Sequence, residues 1–150
     1  MMAKKAAIVG LVIVAVVTSL GLGREIVVTS TADSGTGTFR WALEAAHSGD
    51  TIMFDPKVFP PDDPATIYPR TELQPIRCGN LTIDASNAGV IIDGKNIRSN
   101  WAAGLEIRSS NNVIQGLQIV NFSGAGIALF GGSQKNVIGG NRKLGVGPTG

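Results

Sequence analysis

Hydrophobic positions in the second half of the chain fall in short alternating runs, each closed by Asn or Gly. Leu105-Glu-Ile107 returns as Ile127-Ala-Leu129, 22 residues later. Asn112-Val-Ile-Gln-Gly116 returns as Asn136-Val-Ile-Gly-Gly140, at an offset of 24. A fainter copy, Val90-Ile-Ile-Asp-Gly94, lies 22 residues before the strand ending in Ile114 and Gly116. Alternation at period two marks strands with one buried face. A strand this short cannot bury its inward row alone and needs an equivalent neighbour about 4.8 Å away. Runs recurring every 22 to 24 residues therefore predict stacked coils of a solenoid. On this reading Ile83, Leu105 and Ile127, spaced by 22, form an inward ladder. Asn111, Asn112, Gly116, Asn121, Gly124 and Gly126 are expected at left-handed corners between strands. An antiparallel sandwich of irregular hairpins is the alternative, but hairpins need not keep a constant period.

The first half follows a different pattern. Ile26 to Ser30 reads as a strand from its β-branched content. A glycine-rich turn, Ala32-Asp-Ser-Gly-Thr-Gly-Thr38, leads into a helix whose apolar stripe is Phe39, Ala42, Leu43 and Ala46. Thr38 is the expected N-cap and Gly49 the C-terminal stop, with Arg40 and Glu44 pairing on the surface at i, i+4. Thr51 to Phe54 closes the unit as a second strand. Such a helix would cover the open hydrophobic end of the first coil and block edge-to-edge pairing. Gly35 and Gly37 lack the Lys and the spacing of a nucleotide loop, so the turn reads as a structural entry to the helix. His47, the single histidine, reads as a solvated helix-end residue. The four prolines Pro56, Pro60, Pro61 and Pro64 make a rigid loop, and its Asp62-Asp63 pair falls well short of a calcium ligand set.

Composition narrows the picture. With 150 residues the chain has room for one domain. Twenty glycines and 16% charged residues fit a glycine-punctuated β protein. Apart from Lys4 and Lys5 the chain holds equal numbers of basic and acidic residues, which argues against a nucleic-acid partner. The lone Cys78 cannot form an internal disulfide and reads as an inert thiol beside the first coil.

Residues 1–23 have the layout of a leader. A positive start through Lys5 precedes an apolar run from Ala6 to Val17. This is either a secretory signal peptide or an uncleaved anchor, since residues 6–22 just reach membrane-spanning length. The membrane is then met only through this segment, and the body is expected to be secreted or at the cell surface.

The stretch from Ala32 to Ala46, followed by Gly49-Asp-Thr-Ile-Met-Phe54, resembles the N-terminal cap of secreted right-handed parallel β-helix proteins of the pectin-lyase-like group. Leu73-Gln-Pro-Ile76 and Leu81-Thr-Ile-Asp84 are similar to the segments that follow in that group, and Asn136 to Gly140 to its surface repeat. The resemblance implies an all-β solenoid: a right-handed, single-stranded parallel β-helix with an N-terminal capping helix. Residues 24–76 would form the cap region and 77–150 the coils, with further coils expected after the polar tail 141–150. Fold does not fix activity. The group's hydrolases use clustered Asp beside a His-Gly, and residues 77–150 contain no His. Its lyases need a calcium site and an Arg base. The coils offer Asp84, Asp93 and Glu106, with Arg98 and Arg108; Asp84 and Asp93 are the candidate metal ligands, but they follow Ile83 and Ile92 on different faces of one coil and read more simply as corner residues. No other cofactor is implied.

Three classes of function therefore stand. One is a secreted or cell-surface protein binding polysaccharide or a surface glycan, with Trp101, Gln115, Gln118 and Asn121 as candidate contacts. The second is part of a polysaccharide lyase or glycoside hydrolase whose groove lies in later coils. The third is a structural stalk or shell.

Overall fold

The structure, a computed structural model, describes residues 22–140. The leader reading of residues 1–21 and the tail reading of residues 141–150 lie outside them. No helix among the described residues is long and apolar enough to cross a membrane.

The chain opens with strand β1 (Glu25–Val28) and helix α1 (Phe39–Ala45), followed by β2 (Thr51–Phe54) and β3 (Ala65–Ile67). The next coil holds β4 (Thr82–Asp84), β5 (Val90–Asp93), a single 3-10 turn (Gly94–Asn96) and β6 (Leu105–Ile107). Then come β7 (Val113–Gln115), β8 (Leu117–Val120), β9 (Ile127–Leu129) and β10 (Val137–Ile138). Every pairing between these strands is parallel, and the strands stack into three sheets. Their orders are β1-β2-β4-β7-β10, β3-β5-β8 and β6-β9. An isolated bridge from Ile76 to Ile107 brings the preceding coil to the edge of the third sheet. The protein is an all-β parallel solenoid, and β1, β2 and β3 already lie in sheets shared with later coils.

The register corrects the predicted ladder. Ile83 does not stack with Leu105; it lies between Ile52 and Ile114 in the first sheet, in a column of isoleucines that runs from Ile26 to Ile138. Leu105 and Ile127 do stack, in the third sheet. The Val90 run likewise pairs with Leu117 to Val120 and not with the run ending at Ile114. The spacing of 22 from Ile83 to Leu105 connects two faces of one coil. Along the first sheet the offset is 31 from Thr82 to Val113 and 24 from Val113 to Val137. Period-two alternation looks the same on every face, so it cannot report which face a run belongs to.

The inward side chains form one core. Val28, Ile52, Ile83, Ile92, Leu105 and Ile107 are almost wholly buried. Each such side chain contributes roughly 1.5–3 kcal/mol by leaving water. At the N-terminal end an aromatic cluster fills the cap: Phe54 packs on Phe39 at 5.5 Å between ring centroids and edge-on to Phe59 at 5.4 Å. Thr38 caps α1, its hydroxyl accepting from the Trp41 amide at 3.2 Å. Phe39, Ala42 and Leu43 turn inward, and the helix packs on β1. It ends at Ala45, with Ala46 as C-cap in extended backbone, so Gly49 is not the stop. Gly49 instead takes a left-handed φ of 90° in the turn that leads to Asp50. Arg40 does not pair with Glu44 on the helix. It reaches away to Asp33 at 2.7 Å and to the carbonyl oxygens of Thr71 and Glu72. Those fixed acceptors outcompete an exposed i, i+4 partner, which is worth only about 0.3–0.5 kcal/mol.

Three of the six expected corners are left-handed: Asn111, Asn121 and Gly116, with φ of 62°, 57° and 77°. Asn80 is a fourth, at 57°. Asn112, Gly124 and Gly126 are not among the residues with positive φ. Asn112 is a buried ladder residue: its Oδ1 accepts from the Leu81 amide at 3.0 Å, and its Nδ2 donates to Asn136 Oδ1 at 2.8 Å. Gly124 is small for another reason, because a Cβ there would meet the Trp101 ring at 2.8 Å.

Candidate functional site

The loop between the 3-10 turn and β6 is held against the segment that precedes β9. The Ser123 hydroxyl donates to the Ser99 carbonyl and accepts from the Ala102 amide, both at 2.9 Å. The Gly124 amide donates to the Ala102 carbonyl, also at 2.9 Å. This seam presents Trp101 outward, 48% exposed, with its ring against Gly124. Phe130 meets the indole edge-on at 5.8 Å. Arg108 lies over the other ring, 4.8 Å from the Phe130 centroid, and its Nε donates to Glu106 Oε2 at 3.0 Å. The result is a fixed surface patch of two aromatic rings and a guanidinium on the β6–β9 side. The indole N–H has no hydrogen-bond partner among the described residues, which leaves it available to an outside acceptor.

The other candidate contacts lie elsewhere. Gln115 ends β7 in the first sheet, with Gly140 packed near its side chain. Gln118 is on β8, in the second sheet. Asn121 is the corner after β8, and its Nδ2 donates to Asp93 Oδ1 at 3.0 Å. These three side chains are spread around the coil and are not gathered with Trp101. Phe130 is not among the candidate contacts and Arg108 is expected only as a candidate base, yet the spacing of 22 that pairs Leu105 with Ile127 also places Arg108 beside Phe130. That repeat was the signal that could have found them.

Asp84 and Asp93 both close strands, β4 and β5, on different sheets. Each accepts from the backbone amide two residues on, Ser86 at 2.8 Å and Lys95 at 3.0 Å, as turn-forming aspartates do. Glu106 lies on the third sheet. Among the described residues no group of three His, Cys, Asp or Glu comes together as a metal ligand set. Cys78 is half-buried, and its burial pushes the thiol up from its ordinary pKa.

A second polar cluster closes the N-terminal end. Asp50 is buried, and its carboxylate accepts from the Arg24 guanidinium and the Arg24 amide at 2.8 Å each, and from the His47 amide at 2.9 Å. The Arg24 side-chain hydrogen bond, helped by the backbone amides, holds the carboxyl well below the usual range although burial opposes it.

No family model, curated protein or solved structure matches this chain. The fold and the patch define its class directly, as a parallel β-solenoid with an aromatic surface patch on one side.

Proposed function

We propose that this protein is a secreted or cell-surface solenoid that binds polysaccharide or a surface glycan through the Trp101 patch. The observation that carries the reading is the exposed indole, braced by Phe130 and carrying an uncommitted N–H. A pyranose ring offers an apolar C–H face and a rim of hydroxyls. An indole meets the first by stacking and the second through its N–H, while the flat side of a solenoid lets successive sugar units lie along it. The carboxylates of Asp84, Asp93 and Glu106 are divided among three sheets, which favours binding over acid–base chemistry by these groups.

Isothermal titration of soluble polysaccharides against the protein and its Trp101→Ala variant tests the reading. A central aromatic anchor is typically worth about 2 kcal/mol or more, so the variant should lose about thirtyfold in affinity. Its melting temperature should change little, because the ring is half outside the fold. Equal affinity in the two proteins would remove the patch from glycan binding. Fractionating the source culture tests the location: the protein should be found in the medium or the membrane fraction and not in the cytosol.

A further inference from the structure

The loop after β3 faces the 3-10 turn and the residues that follow it across an open cleft of about 800 Å³. Arg70, Glu72, Asn96, Arg98 and Ser99 contribute to its lining. Neither the Arg70 nor the Arg98 guanidinium has a hydrogen-bond or salt-bridge partner among the described residues. Next to the cleft, the Lys95 ammonium lies over the exposed Tyr68 ring at 4.4 Å. The floor is fixed from behind: Arg40 holds the carbonyls of Thr71 and Glu72 at 2.9 Å, and the Arg70 amide donates to Asp33 Oδ1. Two uncommitted guanidinium groups thus line one cleft, although the described residues carry more acidic than basic side chains.

We propose that this cleft is an oxyanion-binding site, taking a carboxylate, sulfate or phosphate group borne on a hydroxylated ligand. Guanidinium forks match such groups with paired charge-assisted hydrogen bonds. The Asn96 amide adds a neutral donor, and the Glu72 carboxylate can accept from a ligand hydroxyl beside the acid group. The site differs from the Trp101 patch in chemistry, and the two meet only at Ser99, whose hydroxyl donates to the Trp101 carbonyl at 2.8 Å.

Titrations of the full chain with D-glucuronate, inorganic phosphate and D-glucose at low ionic strength test it. Binding of glucuronate, phosphate or both, with glucose silent, is the expected result, and which acid binds tells a carboxylate ligand from a phosphate one. Affinity should fall as salt is raised, because the contacts are ionic. Arg70→Gln and Arg98→Gln should each weaken acid binding about tenfold or more, as loss of one charge-assisted contact does. Both side chains are exposed, so both variants should melt like the parent. Failure of both acids to bind, glucose binding as well as the acids, or unchanged affinity in both variants would overturn the proposal. Trp101→Ala should leave acid binding intact, so failure of this site and failure of the aromatic patch are read separately.

Discussion

At the scale of single residues, Asn112 shows how a polar side chain can hold a β-solenoid together. It is almost fully buried and spends its amide on both neighbouring coils, accepting from Leu81 on one side and donating to Asn136 on the other. Its Nδ2 also donates to Ser109 Oγ at 3.0 Å, while that hydroxyl lies within reach of the carbonyls of Ile76 and Cys78. Asn112→Asp keeps the shape and removes the donor, so a buried carboxylate oxygen would face Asn136 Oδ1. The expected cost is about 3 kcal/mol, the penalty of an uncompensated buried charge. Urea unfolding should show it as a lowered midpoint with an unchanged slope. From the sequence, Asn112 is expected to be a corner like its neighbour. The two asparagines are chemically identical, and only the coil stacked above shows which one turns the chain and which one faces inward.

At the scale of elements, the glycines divide by what surrounds them. Gly116 alone separates β7 from β8, with a left-handed φ of 77°. A Cβ there would come within 2.4 Å of the Ala85 backbone. Gly116→Ala therefore meets both a strained conformation and a backbone that cannot yield, and should cost about 2 kcal/mol or more. Gly126 precedes β9 without positive φ, and a Cβ would sit 3.8 Å from Ile119, an ordinary contact. Gly126→Ala should change stability by less than about 0.5 kcal/mol. Thermal melts of the two variants side by side check the contrast. The strands themselves are legible from alternation, including Thr51–Phe54. Their assignment to sheets is not, because the loops between faces differ in length and the offsets range from 22 to 31.

At the scale of the whole molecule, the Asp50 clamp ties the chain entering at Arg24 to the end of α1 and to the first coil. Arg24 also donates to the Ala45 carbonyl at 2.9 Å, and the Asp50 carbonyl accepts from the Thr82 amide. The folded protein holds the Asp50 carboxyl below its ordinary value of about 3.9, so on acidification the unfolded chain takes up this proton first. The contribution is complete at neutral pH and is lost as pH falls through about 4 and below. Denaturation midpoints between pH 7 and 3 should decline for the parent protein. In Asp50→Asn the decline should be shallower, from a lower starting midpoint. An equal slope in both proteins would show that other groups carry the acid sensitivity.

By itself the sequence determined the class of fold, the helix that starts after Thr38 and the pairing of Leu105 with Ile127, because these depend on local alternation, N-cap chemistry and one regular repeat. That same repeat already contained the Arg108–Phe130 contact. Tertiary structure alone decided that Ile83 stacks on Ile52 and Ile114, that Arg40 leaves its helix for Asp33, and that Arg70 and Arg98 share a cleft. Each of these depends on the lengths of irregular loops between faces. Such loops carry no periodic signal, and their positions are settled only when each coil stacks on the one before it.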